Sequence, residues 1–179
     1  MAAAGKIVLD VSALQILSAG IVAGVVPARI VESIDLASGT TDGQIDVAYA
    51  VSVSAAPAST INSYDLSGSL TMAGVSCVFA EVCLILLRNK RTTALAYLDI
   101  GPHATNGFGR LASSRGFWPA DAGADADQGS IVAPSSFICM YNKDGVPVTA
   151  GTGDILRVTT SGVAGSTNEW DLLILGRSA

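Results

Sequence analysis

Histidine is the usual general base near neutral pH, and the chain has one, His103, in an irregular segment. Asp99 lies four residues before it and serines are plentiful, so the residue types of a hydrolytic triad are present. No G-x-S-x-G sequence occurs, although that turn is what exposes the nucleophilic serine in one class of hydrolases. We therefore expect His103 to be an exposed loop imidazole and the chain to be no enzyme. The alternative is a composite active site at a subunit interface.

Three carboxylates, Asp121, Asp125 and Asp127, lie close together in the segment PADAGADADQG. Calcium takes carboxylate oxygens from flexible loops, so these residues are candidate cation ligands. The segment lacks the third alternating aspartate and the closing glutamate of a calcium loop. We expect a solvated acidic loop, no metal and no other cofactor, with cation binding by the three aspartates as the alternative.

The three cysteines, Cys77, Cys83 and Cys139, are odd in number, and their spacing fits neither a zinc site nor a redox pair. Each lies in an apolar run, so the sequence predicts buried free thiols, which suits synthesis in a reducing cytoplasm. Glu81 interrupts the most apolar run, residues 75–87. It lies either at a bend or beside a basic side chain, and the sequence leaves both readings.

Charged residues make up 14% of the chain, and the net charge is −5. An acidic balance argues against nucleic-acid binding, which normally needs a basic face. So few charges leave part of the outer surface uncovered, and we infer that copies of the chain or a partner cover it. The alternative is that alanine and glycine merely inflate the hydropathy.

Residues 11–28 carry no charge and have the length of a short membrane span. Glycine, serine and proline punctuate this stretch, which favours two short strands over an apolar helix. A secretory signal with Lys6 as its charged start is the other reading, and Asp10 weakens it. We expect no membrane contact.

Strand-length apolar runs separated by turn residues cover most of the chain, and residues 146–176 show them best. The clearest alternation places Ile45, Val47, Tyr49, Val51 and Val53 on one face. About ten such runs at 8–12-residue spacing are typical of a sandwich or jelly roll. The sequence therefore predicts one all-β domain over residues 1–179: an antiparallel jelly-roll-like sandwich with an extended N-terminal arm (residues 1–36) and one long loop (residues 101–129).

The long loop carries aromatic side chains with no apolar period around them. Such loops in compact domains are usually functional or cover a neighbour. Phe117 and Trp118 are therefore candidate interface anchors, and the alternative is that the pair packs on the core of its own chain. Arg110 and Arg115 lie in the same loop and complete the predicted set of partner-contact residues.

Four segments resemble a group of small structural proteins from the virions of tailed bacteriophages. They are TDGQIDVAYAVSVSAAPASTINSYDLSGSLT (residues 41–71), LLRN (86–89), VTAGTGDILRVTTSG (148–162) and WDLLILGRSA (170–179). In that group, a "DQ-D-V-Y" strand leads to an Asp-Leu-Ser/Thr-Gly turn, followed by a strand that ends in Arg/Lys-Asn. This chain departs from the group at Cys83 and Leu86, where lysine and tyrosine are usual, and in its longer loop.

The resemblance implies a jelly-roll decoration (cement) protein of the capsid. Such a protein would be made in the host cytoplasm, form homotrimers and bind the outside of the head, where it would tie major capsid protein subunits together. Tail, baseplate and head-fibre components are the alternatives within the virion. A carbohydrate-binding sandwich for host attachment is a further alternative, for which Trp118, Phe117, Tyr141 and Tyr97 are the candidate aromatic platforms.

Overall fold

The computed structural model describes residues 5–19, 22–109, 116–118, 129–161 and 167–179. Every regular element in these ranges is a β-strand, which confirms the all-β prediction. The strands are β1 Gly5–Ala19, β2 Val22–Ser38, β3 Gln44–Ile45, β4 Val47–Pro57, β5 Ile61–Asp65, β6 Thr71–Met72, β7 Val75–Ser76, β8 Glu81–Asn89, β9 Leu98–Pro102, β10 Ser130–Val132, β11 Phe137–Pro147, β12 Ile155–Thr160 and β13 Thr167–Arg177. The described part of the chain contains no helix that could span a membrane.

Two antiparallel four-stranded sheets pack together as a sandwich. The first sheet has the order β11-β8-β13-β4, and the second has the order β10-β9-β12-β5. The pairs β4–β13, β5–β12, β8–β11 and β9–β10 are nested along the chain, like the rungs of one long hairpin. The contact β8–β13 then joins the first and third of these pairs, and β9–β12 joins the second and fourth, so the long hairpin is wound into two layers.

The core lies between the two sheets and follows from the period of two in the strands. In the first sheet, Ile85, Leu87, Leu172 and Ile174 point inward from the two central strands and are almost fully buried. The predicted inward face of β4 is confirmed for Val47, Tyr49, Val51 and Val53, which all pack on this core.

Ile45 does not share that face, although the alternation predicts that it does. It is buried in a second cluster on the other side of the first sheet. The strand breaks between β3 and β4 at Asp46, whose carboxylate accepts hydrogen bonds from the Ser178 backbone N–H and hydroxyl at 2.7 and 2.5 Å. This contact with the chain end interrupts the strand, so the phase of the alternation is lost at Asp46.

Arg177, at the end of β13, ties three strands together. Its side chain is 2% exposed, and its Nε and Nη2 lie 2.7 and 2.5 Å from Oε2 of Glu81 at the start of β8. Nη2 also donates to the carbonyl oxygen of Asp144 at 2.6 Å. Glu81 is therefore paired with a base at the point where the chain bends into β8, so both readings of that carboxylate hold.

The turn signal Asp144-Gly145 predicts a hairpin between the runs FICMY (137–141) and VPVT (146–149). This prediction is wrong, because the segment Asn142 to Gly145 is a bulge inside β11. The pairing of β11 with β8 shifts register between Tyr141 and Val146. Gly145 has φ +72°, a conformation that favours glycine, and the contact of Arg177 with Asp144 secures the bulge. The turn residues therefore kink one strand instead of joining two.

Residues 1–36, where the sequence predicts an arm, contain the long N-terminal hairpin of β1 and β2. Its pairing runs from Gly5 opposite Leu36 to Ala19 opposite Val22. The described part of the uncharged stretch, residues 11–19 and 22–28, is thus strand, as predicted, although Pro27 does not interrupt β2. Among the described elements, β2 is the only substantial neighbour of β1, and β2 joins the body through a short parallel pairing with β3.

Tyr64, on β5, makes the stability of the sandwich sensitive to alkaline pH. Burial raises the pKa of Tyr64 to about 12, and its Oη accepts a hydrogen bond from Nε1 of Trp170 at 3.3 Å. In the unfolded chain, Tyr64 loses its proton near its ordinary pKa of 10.0, whereas in the folded chain it keeps the proton up to about pH 12. The contribution of this group to stability is therefore complete below pH 10 and is lost as the pH rises to about 12.

We expect unfolding titrations between these pH values to show stability falling by up to roughly 1.4 kcal/mol per pH unit through this group. Tyr64→Phe should remove that part of the slope. Burial also raises the pKa of Tyr49 and Tyr141, so some slope remains in the variant. Identical pH dependence in the variant and the natural chain would contradict the prediction.

Candidate docking surface

The predicted partner-contact residues are only partly within the described ranges. Trp118 is 5% exposed and belongs to the core between the sheets, so the structure places it on its own chain. Phe117 is half-buried, and its ring centroid lies 6.3 Å from that of Phe108 and 6.0 Å from that of Trp118. Of the two residues, Phe117 is therefore the one whose side chain is partly exposed and could contact a partner. Arg110 and Arg115 lie outside the described residues.

The structure does not bring the candidate catalytic residues together in one site. Nδ1 of His103 lies 3.1 Å from the backbone N–H of Thr105, inside its own turn. Asp99 makes an ion pair of 2.7 Å with the buried Arg157 on the neighbouring strand β12. No cluster of three or more His, Cys, Asp or Glu side chains able to hold a metal occurs in the described ranges. The predicted cation candidates Asp121, Asp125 and Asp127 fall outside those ranges.

The cysteine prediction is confirmed for Cys77 and Cys83, which are buried, and wrong for Cys139, which is exposed. Strand alternation explains the difference. Ile138 and Met140 of β11 pack on the core, so Cys139 between them points away from it. β11 lies at the edge of the first sheet and packs only one face on the core, and the run FICMY does not reveal which residues take that face.

The outer face of the first sheet, where Cys139 lies, is built of three rows that cross all four strands. Cross-strand register defines each row, because directly opposed residues share a face. The three rows follow one another along the strands, and the first contains the start of β11. They are a polar row (Phe137, Arg88, Asp171, Ser52), a middle row (Cys139, Leu86, Leu173, Ala50) and a covered row (Tyr141, Leu84, Leu175, Ala48).

The covered row packs against the end of β2 and β3, with Leu84 and Leu175 buried and Ala48 and Tyr141 partly buried. Leu36 and Ile45 pack there with Leu84 and Leu175, and all four are almost fully buried. This cluster anchors the base of the N-terminal hairpin to the outer face. One-third of the face is therefore already a packed interface.

The middle row has no such cover from the described elements. Leu86 and Leu173 remain partly exposed, Ala50 and Cys139 are exposed, and Phe137 beside them is 61% exposed. A shallow depression of about 350 Å³ lies over Ala50, Leu86 and Leu173. Exposed apolar patches with a polar border mark interaction sites in soluble proteins. The uncovered outer face is thus a candidate docking surface.

A fixed set of polar contacts borders the surface. Asp171 accepts a hydrogen bond of 2.6 Å from the Ser52 hydroxyl and pairs with Lys90 at 3.4 Å. The Ser52 hydrogen bond, with help from Lys90, lowers the pKa of Asp171 below its usual value. Asp171 therefore stays ionised at neutral pH, and the border presents fixed charge next to an apolar floor.

The signal for this surface is present in the sequence. The runs VCLILL in β8 and LLIL in β13 are apolar at every position, whereas a strand with one wet face alternates. Continuous apolar runs indicate that both faces of the central strands are to be covered. The predicted interface instead fell on Phe117 and Trp118 of the long loop.

Comparison with known proteins finds no family model that matches the chain and no matching sequence among curated proteins.

Proposed function

We propose that this chain is a capsid decoration (cement) protein of a tailed bacteriophage. It binds the outside of the head and stabilises contacts between major capsid protein subunits. The observation that carries the proposal is the resemblance of four segments to small phage virion proteins. These segments contribute β3 to β6, the end of β8, all of β12 and most of β13, so the resemblance extends through both sheets.

The strand order supports the jelly-roll part of the proposal. A jelly roll has eight strands in two sheets and is built from Greek keys. The eight strands of the sandwich form four nested antiparallel pairs that wind into two four-stranded sheets, as rolling up one long hairpin would produce. Successive strands of the sandwich alternate between the two sheets except at β9 and β10, which form the closed end of the rolled hairpin.

The surface of the protein supports a structural role that depends on assembly. A projecting hairpin and an uncovered apolar sheet face are both features that a partner would complete. A protein that binds only the assembled shell raises the cost of opening that shell by mass action. The proposed partners are accordingly the major capsid protein and further copies of this chain as a homotrimer, with no role for nucleic acid.

The burial of Trp118 bears on the carbohydrate-binding alternative. A sugar platform needs an exposed aromatic face, and Trp118 offers almost none. Tyr97 is exposed just before β9 of the second sheet, whereas Tyr141 lies in the covered row on the outer face of the first sheet. Tyr97 and Tyr141 therefore lie on different sheets, and the decoration role accounts for more of the surface.

The proposal is tested by counting copies of this protein in purified virions against the major capsid protein by quantitative mass spectrometry. We expect copy numbers of the same order for the two proteins, and heads that lack this protein should open at lower temperature. A small fixed number per particle would instead indicate a tail, baseplate or head-fibre component. Absence from virions would remove every virion role.

A further inference from the structure

The register of the N-terminal hairpin sorts its residues into two unlike faces. Directly opposed residues share a face, so the face that contains Leu36 is fixed by the pairing. Only Glu32 and Gln15 are polar on it, whereas the other face includes Lys6, Asp10 and Arg29. The apolar face consists of the pairs Gly5–Leu36, Ile7–Ile34, Leu9–Glu32, Val11–Ile30, Ala13–Ala28, Gln15–Val26, Leu17–Gly24 and Ala19–Val22.

A two-stranded hairpin is marginally stable in water unless something covers its apolar face. At the base of the hairpin, the structure shows what that face contacts. Leu36 belongs to the apolar face and is buried against Leu84 and Leu175 in the covered row. The apolar face of the hairpin therefore already contacts the outer face of the first sheet at the base of the hairpin. The middle row lies next to that contact on the same face of the sheet.

The hairpin of the same chain does not cover the middle row. Among the described elements, β1 has no substantial contact with any strand of the first sheet. Fifteen paired residues at strand spacing extend about 50 Å, whereas the longest strands of the sandwich, with eleven residues, extend about 36 Å. A paired arm of that length, with no substantial contact between β1 and the first sheet of its own chain, is long enough to reach a neighbouring molecule.

We propose that the uncovered outer face of the first sheet binds the apolar face of the N-terminal hairpin from a second copy of this chain. The uncovered area is roughly 300 Å² at ordinary strand spacing, which is within the size range of the largest apolar patch on a typical monomer, and such patches are often functional. Each copy then donates one arm and accepts another, which allows a closed ring of copies.

Paired substitutions test the exchange of arms in the full chain. Ile30→Asp places a charge on the apolar face of the hairpin, and its control Val31→Asp places the same charge on the other face. Ala50→Glu places a charge on the middle row, and its control Ile131→Glu changes a residue that is 71% exposed on the second sheet. Ala50 and Ile131 are both exposed, so neither change disturbs the core.

Self-association is measured by sedimentation of the purified chains, with no capsid present. We expect the natural chain and both controls to associate, and Ile30→Asp and Ala50→Glu to weaken association roughly tenfold or more, because each buries a charge in an apolar contact. A mixture of the two weakened variants should form one-to-one complexes, since one retains an intact face and the other an intact arm. An equal effect of each variant and its control, or no complex in the mixture, would overturn the proposal.

Cys139 supplies a native reporter inside the surface. It is the exposed cysteine of the three, and it lies in the middle row. Thiol labelling should be slow in the associated natural chain and in Val31→Asp, and fast in Ile30→Asp. A natural chain that is monomeric with Cys139 protected would mean that its own arm folds back, which contradicts exchange. Because no capsid is present, these results are independent of the proposed decoration role.

Discussion

Replacing Arg177 by methionine is expected to lower the free energy of unfolding by about 2–3 kcal/mol, because its buried guanidinium donates charge-assisted hydrogen bonds to Glu81 and to the Asp144 carbonyl. Glu81, whose side chain is 31% exposed, and the Asp144 carbonyl both lose this donor in the variant. The guanidinium closes the bulge of β11 against β8 and β13, so its loss acts on three strands together. Chemical denaturation followed by circular dichroism measures the change.

Lys143→Met is the matched control for that substitution. Lys143 also pairs with a carboxylate, Asp144 at 3.8 Å, but its side chain is 66% exposed. Exposed pairs contribute little, so we expect a change of about 0.5 kcal/mol or less. Replacing both members of the buried pair by apolar residues should recover part of the stability lost in Arg177→Met. Equal losses for Arg177→Met and Lys143→Met would show that the ion pair has no special role.

The sequence predicts the strands of the sandwich better than their ends. The alternation from Val47 to Val53 and the apolar run of β8 are determined by burial, which the hydrophobic pattern records directly. The hairpin expected at Asp144-Gly145 is wrong because the same residues serve a turn or a bulge. The choice depends on Arg177, which is distant in sequence. A local sequence pattern holds no information on which remote segment a residue will contact.

The candidate surface is less predictable than the fold for the same reason. The middle row combines Cys139, Leu86, Leu173 and Ala50 from four strands, and only the cross-strand register brings them side by side. Sequence reasoning predicted that some outer surface would need cover, from the low charge content. It assigned that role to aromatic residues in the long loop, since loop aromatics without an apolar period resemble interface anchors. The described part of that loop turns Trp118 into the core instead.

Trp118→Ala is expected to lower the free energy of unfolding by roughly 3–5 kcal/mol, the usual cost of emptying a buried aromatic site. The indole fills space between the sheets near Gly109, where an added Cβ would contact the indole ring. Phe117→Ala should cost clearly less, because the ring is only half-buried. Denaturation followed by circular dichroism compares the two variants without relying on tryptophan fluorescence.

Trp118→Phe separates packing from hydrogen bonding at this position. Within the described part of the chain, the buried Nε1 of Trp118 has no hydrogen-bond partner, so phenylalanine loses volume but no hydrogen bond. We therefore expect Trp118→Phe to retain most of the stability that Trp118→Ala loses. If Trp118→Ala folds with unchanged stability and loses only binding to heads, the indole is an interface anchor and its burial in the core is incidental. If stability falls as expected, Phe117 is the residue of this pair to test for partner contact, because its exposed edge can change without emptying the core.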